Sequence, residues 1–239
     1  MAYRAEGFET EGVYHLFSRG VDRRVVFDDD NDRQRFLELL SYYRHPPAIG
    51  YAQTQRLRRT APLIARSQLE RAREANHPFA NFISYCLMPN HFHLLVRQFV
   101  DKGISELMRR FLNSYTRYYN ERHGRSGPLF AGQYRAVRVS TDAQLLHVSR
   151  YIHLNPYVAG LTRDPLVYAW SSIGVYCQRG STHFGSVLEV DASLILEMLP
   201  HGAYENFVVD HADYARQLDQ IEHLVLEKEE RERAHFRSV

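Results

Sequence analysis

Polar and apolar positions alternate over residues 12–19, the two-residue period of a half-buried strand. Phe27-Asp28-Asp29-Asp30 then leads into residues 33–42, where Phe36, Leu37, Leu39 and Leu40 recur at helical spacing behind an acidic start that suits the helix dipole. Residues 45–78 break the pattern. Pro46-Pro47 opens that stretch, and residues 63–73 read as a short basic amphipathic helix. Two apolar runs, 80–87 and 91–98, flank the turn residues Pro89-Asn90 and read as a hairpin. Ile104, Leu107, Met108, Phe111, Leu112, Tyr115 and Tyr119 then set out a long helix over about 103–121, closed by His123-Gly124-Arg125-Ser126-Gly127-Pro128. Residues 129–138 predict a further strand, followed by a helix that carries Tyr151 and that Pro156 is expected to end. Helices are also expected over Asp191–Leu199 and Tyr204–Glu232.

The order strand, helix, strand, strand, helix, strand, helix predicts an α+β fold: a ferredoxin-like or RRM-like antiparallel sheet with helices on one face, plus a helical C-terminal extension. We expect one domain over residues 10–180, interrupted by a basic insertion at about 45–78, and the extension over 181–239. No apolar run approaches the about 18 residues of a membrane span, and the N-terminus has no basic segment followed by an apolar one, so a soluble, cytoplasmic and nucleoid-associated protein is expected. Two cysteines, Cys86 and Cys177, are too few for a disulfide framework or a cysteine-rich zinc site.

Charge changes this picture only through its distribution. The net charge is +2. Residues 101–140 hold eight basic against three acidic side chains, net +5, whereas residues 201–239 hold five against nine, net −4. The middle of the chain is therefore the part suited to phosphate.

His91-Phe92-His93 follows Met88-Pro89-Asn90 inside the apolar run that continues with Leu94-Leu95-Val96. Residues two apart on a strand share a face, so both imidazoles can converge on one ion or phosphate while Phe92, Leu94 and Val96 enter a core. Paired histidines also occur by chance, so a second element must add chemistry. Residues 147–156 qualify, because a helix there sets Tyr151 and Asn155 one turn apart on one face. Two imidazoles and an amide oxygen suit Mg²⁺ or Mn²⁺ held together with a substrate, rather than a closed structural zinc.

Met88-Pro89-Asn90-His91-Phe92-His93, Tyr151-Ile152-His153-Leu154-Asn155-Pro156 and Gly160-Leu161 together resemble the single-tyrosine HUH transposases, most closely their REP-associated branch. Tyr14-His15-Leu16-Phe17-Ser18-Arg19-Gly20, Tyr115–Asn120, Gly127-Pro128-Leu129-Phe130 and Trp170-Ser171-Ser172 extend the likeness over roughly residues 10–180. The resemblance implies that Tyr151 is the nucleophile, that His91, His93 and Asn155 hold Mg²⁺ or Mn²⁺, and that attack on single-stranded DNA leaves a 5′-phosphotyrosine and a free 3′-OH. Relatives can use Gln at the third ligand position. Expected partners are single-stranded or hairpin DNA, with no membrane and with homodimerisation left open.

Sixteen tyrosines compete for the role. Tyr115 and Tyr119 fit the core stripe of their helix, and Tyr118 is expected to be exposed. DNA contacts are expected from Arg19, Arg23, Arg24, Arg109, Arg110, Arg117 and Arg125, with Tyr118 for base stacking. His147 and His153 stay outside the ligand set, since a lone helical histidine is more often a packing or surface residue. The rival reading is a non-catalytic nucleic-acid-binding regulator on an RRM-like sheet. A metal-dependent hydrolase without a covalent intermediate also remains, while relaxases place their tyrosines before their histidines.

Overall fold

The computed structural model describes residues 7–47, 49–75, 77–177 and 188–215. Strands β1 (Val13–Arg19), β2 (Ala80–Met88), β3 (His91–Gln98) and β4 (Arg135–Val139) form one antiparallel sheet in the order β2-β3-β1-β4. Helices α1 (Asp30–Tyr43), α2 (Tyr51–Thr60) and α3 (Pro62–Ala75) lie between β1 and β2, and α4 (Gly103–Arg122) lies between β3 and β4. That is the expected ferredoxin-like order, with the first crossover enlarged.

Alternation along the strands makes two cores. Tyr14, Leu16, Phe92, Leu94 and Val96 pack with Phe36, Leu40, Ile104, Phe111 and Tyr115 of α1 and α4. Leu95, Ile83, Cys86 and Met88 point to the other face, against α5 (Asp142–Val158), α6 (Ile173–Tyr176) and α8 (Tyr204–Val209) through Ile152, Ile173 and Tyr204. The helices expected on one face are thus α1 and α4, and α5 covers part of the opposite one. Only a single face of an RRM-like sheet would have stayed open; here part of the second is buried by the C-terminal elements.

Local chemistry explains the boundaries. Asp29 caps α1 by accepting from the Asp32 backbone N–H at 3.1 Å. Thr141 caps α5 in the same way through Gln144 N–H at 3.2 Å. The expected stop at Pro156 gives way to a helix running to Val158. A proline this near the C-terminus costs only one intrahelical bond, and the true stop is Gly160 at φ +70°, where Leu161 N–H reaches Pro156 O at 2.8 Å.

Three other expectations need correction. The insertion holds a second helix, α2, which buries only Tyr51 and Thr54 and so has almost no apolar stripe to read. The strand expected from residue 129 starts at Arg135, because Leu129 and Phe130 turn into the first core and Gly132 adopts φ +72°. The helix expected over Asp191–Leu199 shrinks to α7 (Ser193–Leu196), and the one from Tyr204 stops at Val209; residues 216–232 of that expectation lie outside the described residues. No helix among the described residues is long and apolar enough to cross a membrane.

Candidate active site

Register brings the site together. β1 and β3 pair so that Arg19 faces His91, Phe17 faces His93 and His15 faces Leu95, while β4 sets Arg135 opposite Phe17. The Pro89-Asn90 turn that precedes His91 is clamped to the β1–α1 connection: Gly20 N–H donates to Asn90 O at 2.8 Å, and Val26 N–H to Pro89 O at 2.9 Å. Gly20 has no room for a side chain there, since a Cβ would lie 2.3 Å from Arg24 O.

His91 and His93 emerge on the same face, with ring centroids 5.0 Å apart. The Tyr151 ring lies 5.5 Å from that of His93. Asn155 follows one turn later, beside His91, and donates Nδ2–H to Tyr151 O at 2.8 Å. All four line one open cleft of about 760 Å³ with Phe17, Arg19, Gln133 and Arg135. Tyr151 is 53 % exposed, so a bulky substrate can reach it.

Hydrogen bonding sorts the imidazole nitrogens. His91 Nδ1 is 2.6 Å from Asn90 Oδ1, an acceptor, so Nδ1 carries the proton and Nε2 the lone pair. His93 Nδ1 is 2.9 Å from His15 Nε2 in a buried contact, and His93 Nε2 is buried without any partner. A buried imidazole nitrogen with no partner is costly unless something takes its lone pair. Burial is the largest influence holding His91 and His15 down to about 4 and His93 well below its usual range; the positive charge of Arg19 pushes the same way at His91 and His93. The neutral form of each ring therefore dominates at physiological pH, the form in which imidazole binds a metal.

Two imidazole Nε2 atoms, one of them orphaned, beside an amide fit a divalent cation. The cleft lining contains no carboxylate and two arginines. The sequence pointed to His91, His93, Tyr151 and Asn155, and these four meet. It missed His15 and Arg135. The signal for His15 was present, since Tyr14 and Leu16 alternate with it toward the opposite face.

The expected DNA-contacting side chains do not all gather here. Arg19 lines the cleft, and Arg23 and Arg24 occupy the turn after β1. Arg109, Arg110 and Arg117 lie on α4, behind the sheet, paired with Glu106 or Glu121. Arg125 donates to Asn120 Oδ1 and Pro128 O at the end of α4. Tyr118 is half-buried: its hydroxyl donates to Asp32 Oδ1 at 3.1 Å, and the Arg35 guanidinium covers its ring at 4.9 Å. His153, kept out of the ligand set, is fully buried between Tyr204 Oη and Ser172 Oγ, each at 2.7 Å.

Residues 69–155 match the family model described as IS200-like transposase, a stretch that includes His91, His93, Tyr151 and Asn155. The resemblance read from the sequence is thereby borne out over that stretch. Among solved structures, one titled as a REP-associated tyrosine transposase bound to a REP hairpin aligns with 80 % of this chain and 96 % of its own, at 12 % identity and a TM-score of 0.45. A search of curated proteins finds no match.

Proposed function

We propose that the protein is a metal-dependent endonuclease and strand transferase acting on single-stranded DNA at hairpin-associated sites, with Tyr151 as nucleophile. One observation carries this reading: an exposed phenol stands beside paired imidazoles in a cleft that has two arginines and no acid.

Tyr151 Oη attacks the phosphorus of a phosphodiester. A P–O bond forms to the phenolic oxygen, the P–O3′ bond breaks, and the 3′ oxygen departs as a free hydroxyl. The phenolic proton passes to solvent, a solvent proton is taken up by the departing 3′ oxygen, and the product is a 5′-phosphotyrosine. That linkage conserves the phosphodiester energy, so a 3′-OH can reverse the step and join a new strand without a nucleotide cofactor. Arg19 and Arg135 flank the phosphate and favour its dianionic transition state. His91 and His93 through Nε2, with the Asn155 amide oxygen, would hold Mg²⁺ or Mn²⁺. When bound, that ion supplies Lewis-acid polarisation of the phosphate and favours the phenolate. With three neutral ligands the ion's charge is left to be balanced by the DNA itself, so metal and substrate should bind synergistically. An open cleft on the sheet face admits an unstacked phosphate more readily than one inside a duplex.

The test is incubation with end-labelled hairpin DNA carrying a single-stranded flank, in Mn²⁺. An adduct that survives denaturation is expected, and Tyr151→Phe should reduce it by about 10⁴ or more. Binding without an adduct in the wild type would favour the regulator reading. Cleavage that persists in Tyr151→Phe would favour hydrolysis or another tyrosine.

A further inference from the structure

Behind the sheet, helix α2 of the insertion and α4 enclose a second concavity, of about 720 Å³, which no step of the proposed chemistry uses. Its lining includes Arg35, Arg56, Arg59, Arg110 and Arg117 against a single carboxylate, Glu121. One arginine on a solvated helix needs no explanation. Here Arg35, Arg110 and Arg117 are ion-paired with Glu38, Glu106 and Glu121, while Arg56 and Arg59 of α2 add two charges to the same groove without a carboxylate paired to them among the described residues, an excess of positive charge that an anion would balance.

The groove is built rather than incidental. Tyr51 Oη–H donates to Glu38 Oε2 at 2.8 Å, and Tyr42 Oη lies 2.8 Å from Thr54 Oγ1, so α2 is docked on α1 by polar anchors. Those anchors use up the inner side of α2 and turn Arg56 and Arg59 outward, both exposed. Arg110 and Arg117 are tied to Glu106 and Glu121 within their own helix, which holds their side chains upright along the groove wall.

The aromatic rings decide what kind of anion fits. Arg35 stacks over Tyr51 at 5.2 Å and over Tyr118 at 4.9 Å, and Tyr43 is buried. The rings are thereby covered by the protein's own cation. A groove for single-stranded nucleic acid presents rings to bases; this one presents charge and covered rings, which suits a continuous phosphate backbone whose bases are stacked away inside a helix.

On the premise that the protein acts on DNA, we propose that the α2–α4 groove is a second nucleic-acid site that holds the phosphate backbone of duplex DNA, separately from the cleft that takes the single strand. The insertion then supplies duplex affinity through contacts to phosphate, which carry no sequence information.

The test uses the full chain and three probes: a blunt DNA duplex, an unstructured single strand and the hairpin with its flank. Arg56→Glu/Arg59→Glu should weaken duplex binding about tenfold or more and lower the slope of log K against log salt by about two. Single-strand binding and adduct formation on the unstructured strand should stay at wild-type levels. Arg66→Glu/Arg71→Glu, on α3 outside the groove, makes the same change in net charge and should leave the duplex slope in place. Wild-type duplex affinity in the groove variant would overturn the proposal, as would an equal loss in the α3 variant or a loss confined to the single strand. A wild type that forms no adduct, but whose duplex binding depends on Arg56 and Arg59, would sink the catalytic reading and leave the groove standing.

Discussion

Among the described residues, two clusters gather metal-ligating side chains, and they behave as opposites. At the junction of α1 and α4, ligand atoms of Asp28, Asp32 and His123 lie within 4.8 Å of one another, close enough to hold an ion by distance alone. Every one of them is already engaged. Asp32, fully buried, accepts from Arg122 at 2.5 Å, from Tyr118 at 3.1 Å, from His123 at 3.0 Å and from the Asp28 N–H at 3.0 Å, while Asp28 accepts from Tyr119. Arg122 also bridges Asp29. The cation this cluster wants is a guanidinium, and it has one. On the other face of the sheet, the histidine cleft has fewer contacts, no acid and a buried His93 Nε2 with no partner. Proximity of ligand types locates both clusters; satisfaction separates the structural one from the one we propose to be reactive.

The largest effect that tests this contrast is on metal uptake. His93→Ala should abolish measurable Mn²⁺ binding by calorimetry or electron paramagnetic resonance, a loss of more than about 100-fold, whereas Asp28→Asn should leave it unchanged. Retention of Mn²⁺ by His93→Ala with loss in Asp28→Asn would reverse the assignment. Next in size is a stability effect from the opposite cluster. Asp32→Ala strands Arg122 and His123 beside a buried cavity and should cost about 3 kcal/mol in denaturant unfolding, with Mn²⁺ affinity of the folded protein preserved.

A smaller effect sharpens the role of His15. The two rings meet through His15 Nε2 and His93 Nδ1 at 2.9 Å, and for His93 Nε2 to offer its lone pair to a metal, His93 Nδ1–H must be the donor and His15 Nε2 the acceptor. His15→Leu removes the acceptor and should weaken Mn²⁺ binding about 10- to 100-fold; His15→Gln, which can still accept, should recover most of it. Equal losses in the two variants would mean that His15 serves packing alone.

The smallest effect is on the pH dependence of melting in chelator. His153, buried and neutral, is pushed by burial from 6.5 down to about 3, so the unfolded chain binds the extra proton first as pH falls. Its contribution is complete above pH 6.5 and is lost on acidification through that value toward 3, about 2 kcal/mol by pH 5. The Arg122 ion pair holds the carboxyl of Asp29 below its usual value, so that contribution persists above about 3.8 and is lost only at lower pH. Melting that is flat from pH 7.5 to 5 would contradict the first assignment.

What could be read from the chain followed the range of the interactions. His91 with His93 and Tyr151 with Asn155 are local spacings, two on a strand and four on a helix, and the resemblance joined the pairs. The strand order followed from the order of elements. His15 and Arg135 depend on register between β1 and its two neighbours, a non-local quantity that periodicity does not encode. Helix α2 escaped because arginine and glutamine stems, rather than an apolar stripe, cover its surface. Tyr118 looked available because helical spacing turns it away from the core stripe; only the fold reveals that Arg35 and Asp32 claim it.

The 2.8 Å bond from the Asn155 carboxamide to the Tyr151 carbonyl makes one helical turn a single lever. Any sliding or tilting of α5 against the sheet carries the phenol and the amide together, with their mutual spacing preserved and their distance to the imidazoles altered in step. Under the proposed chemistry, a mutation that loosens the seat of α5 lowers turnover before the pair itself comes apart.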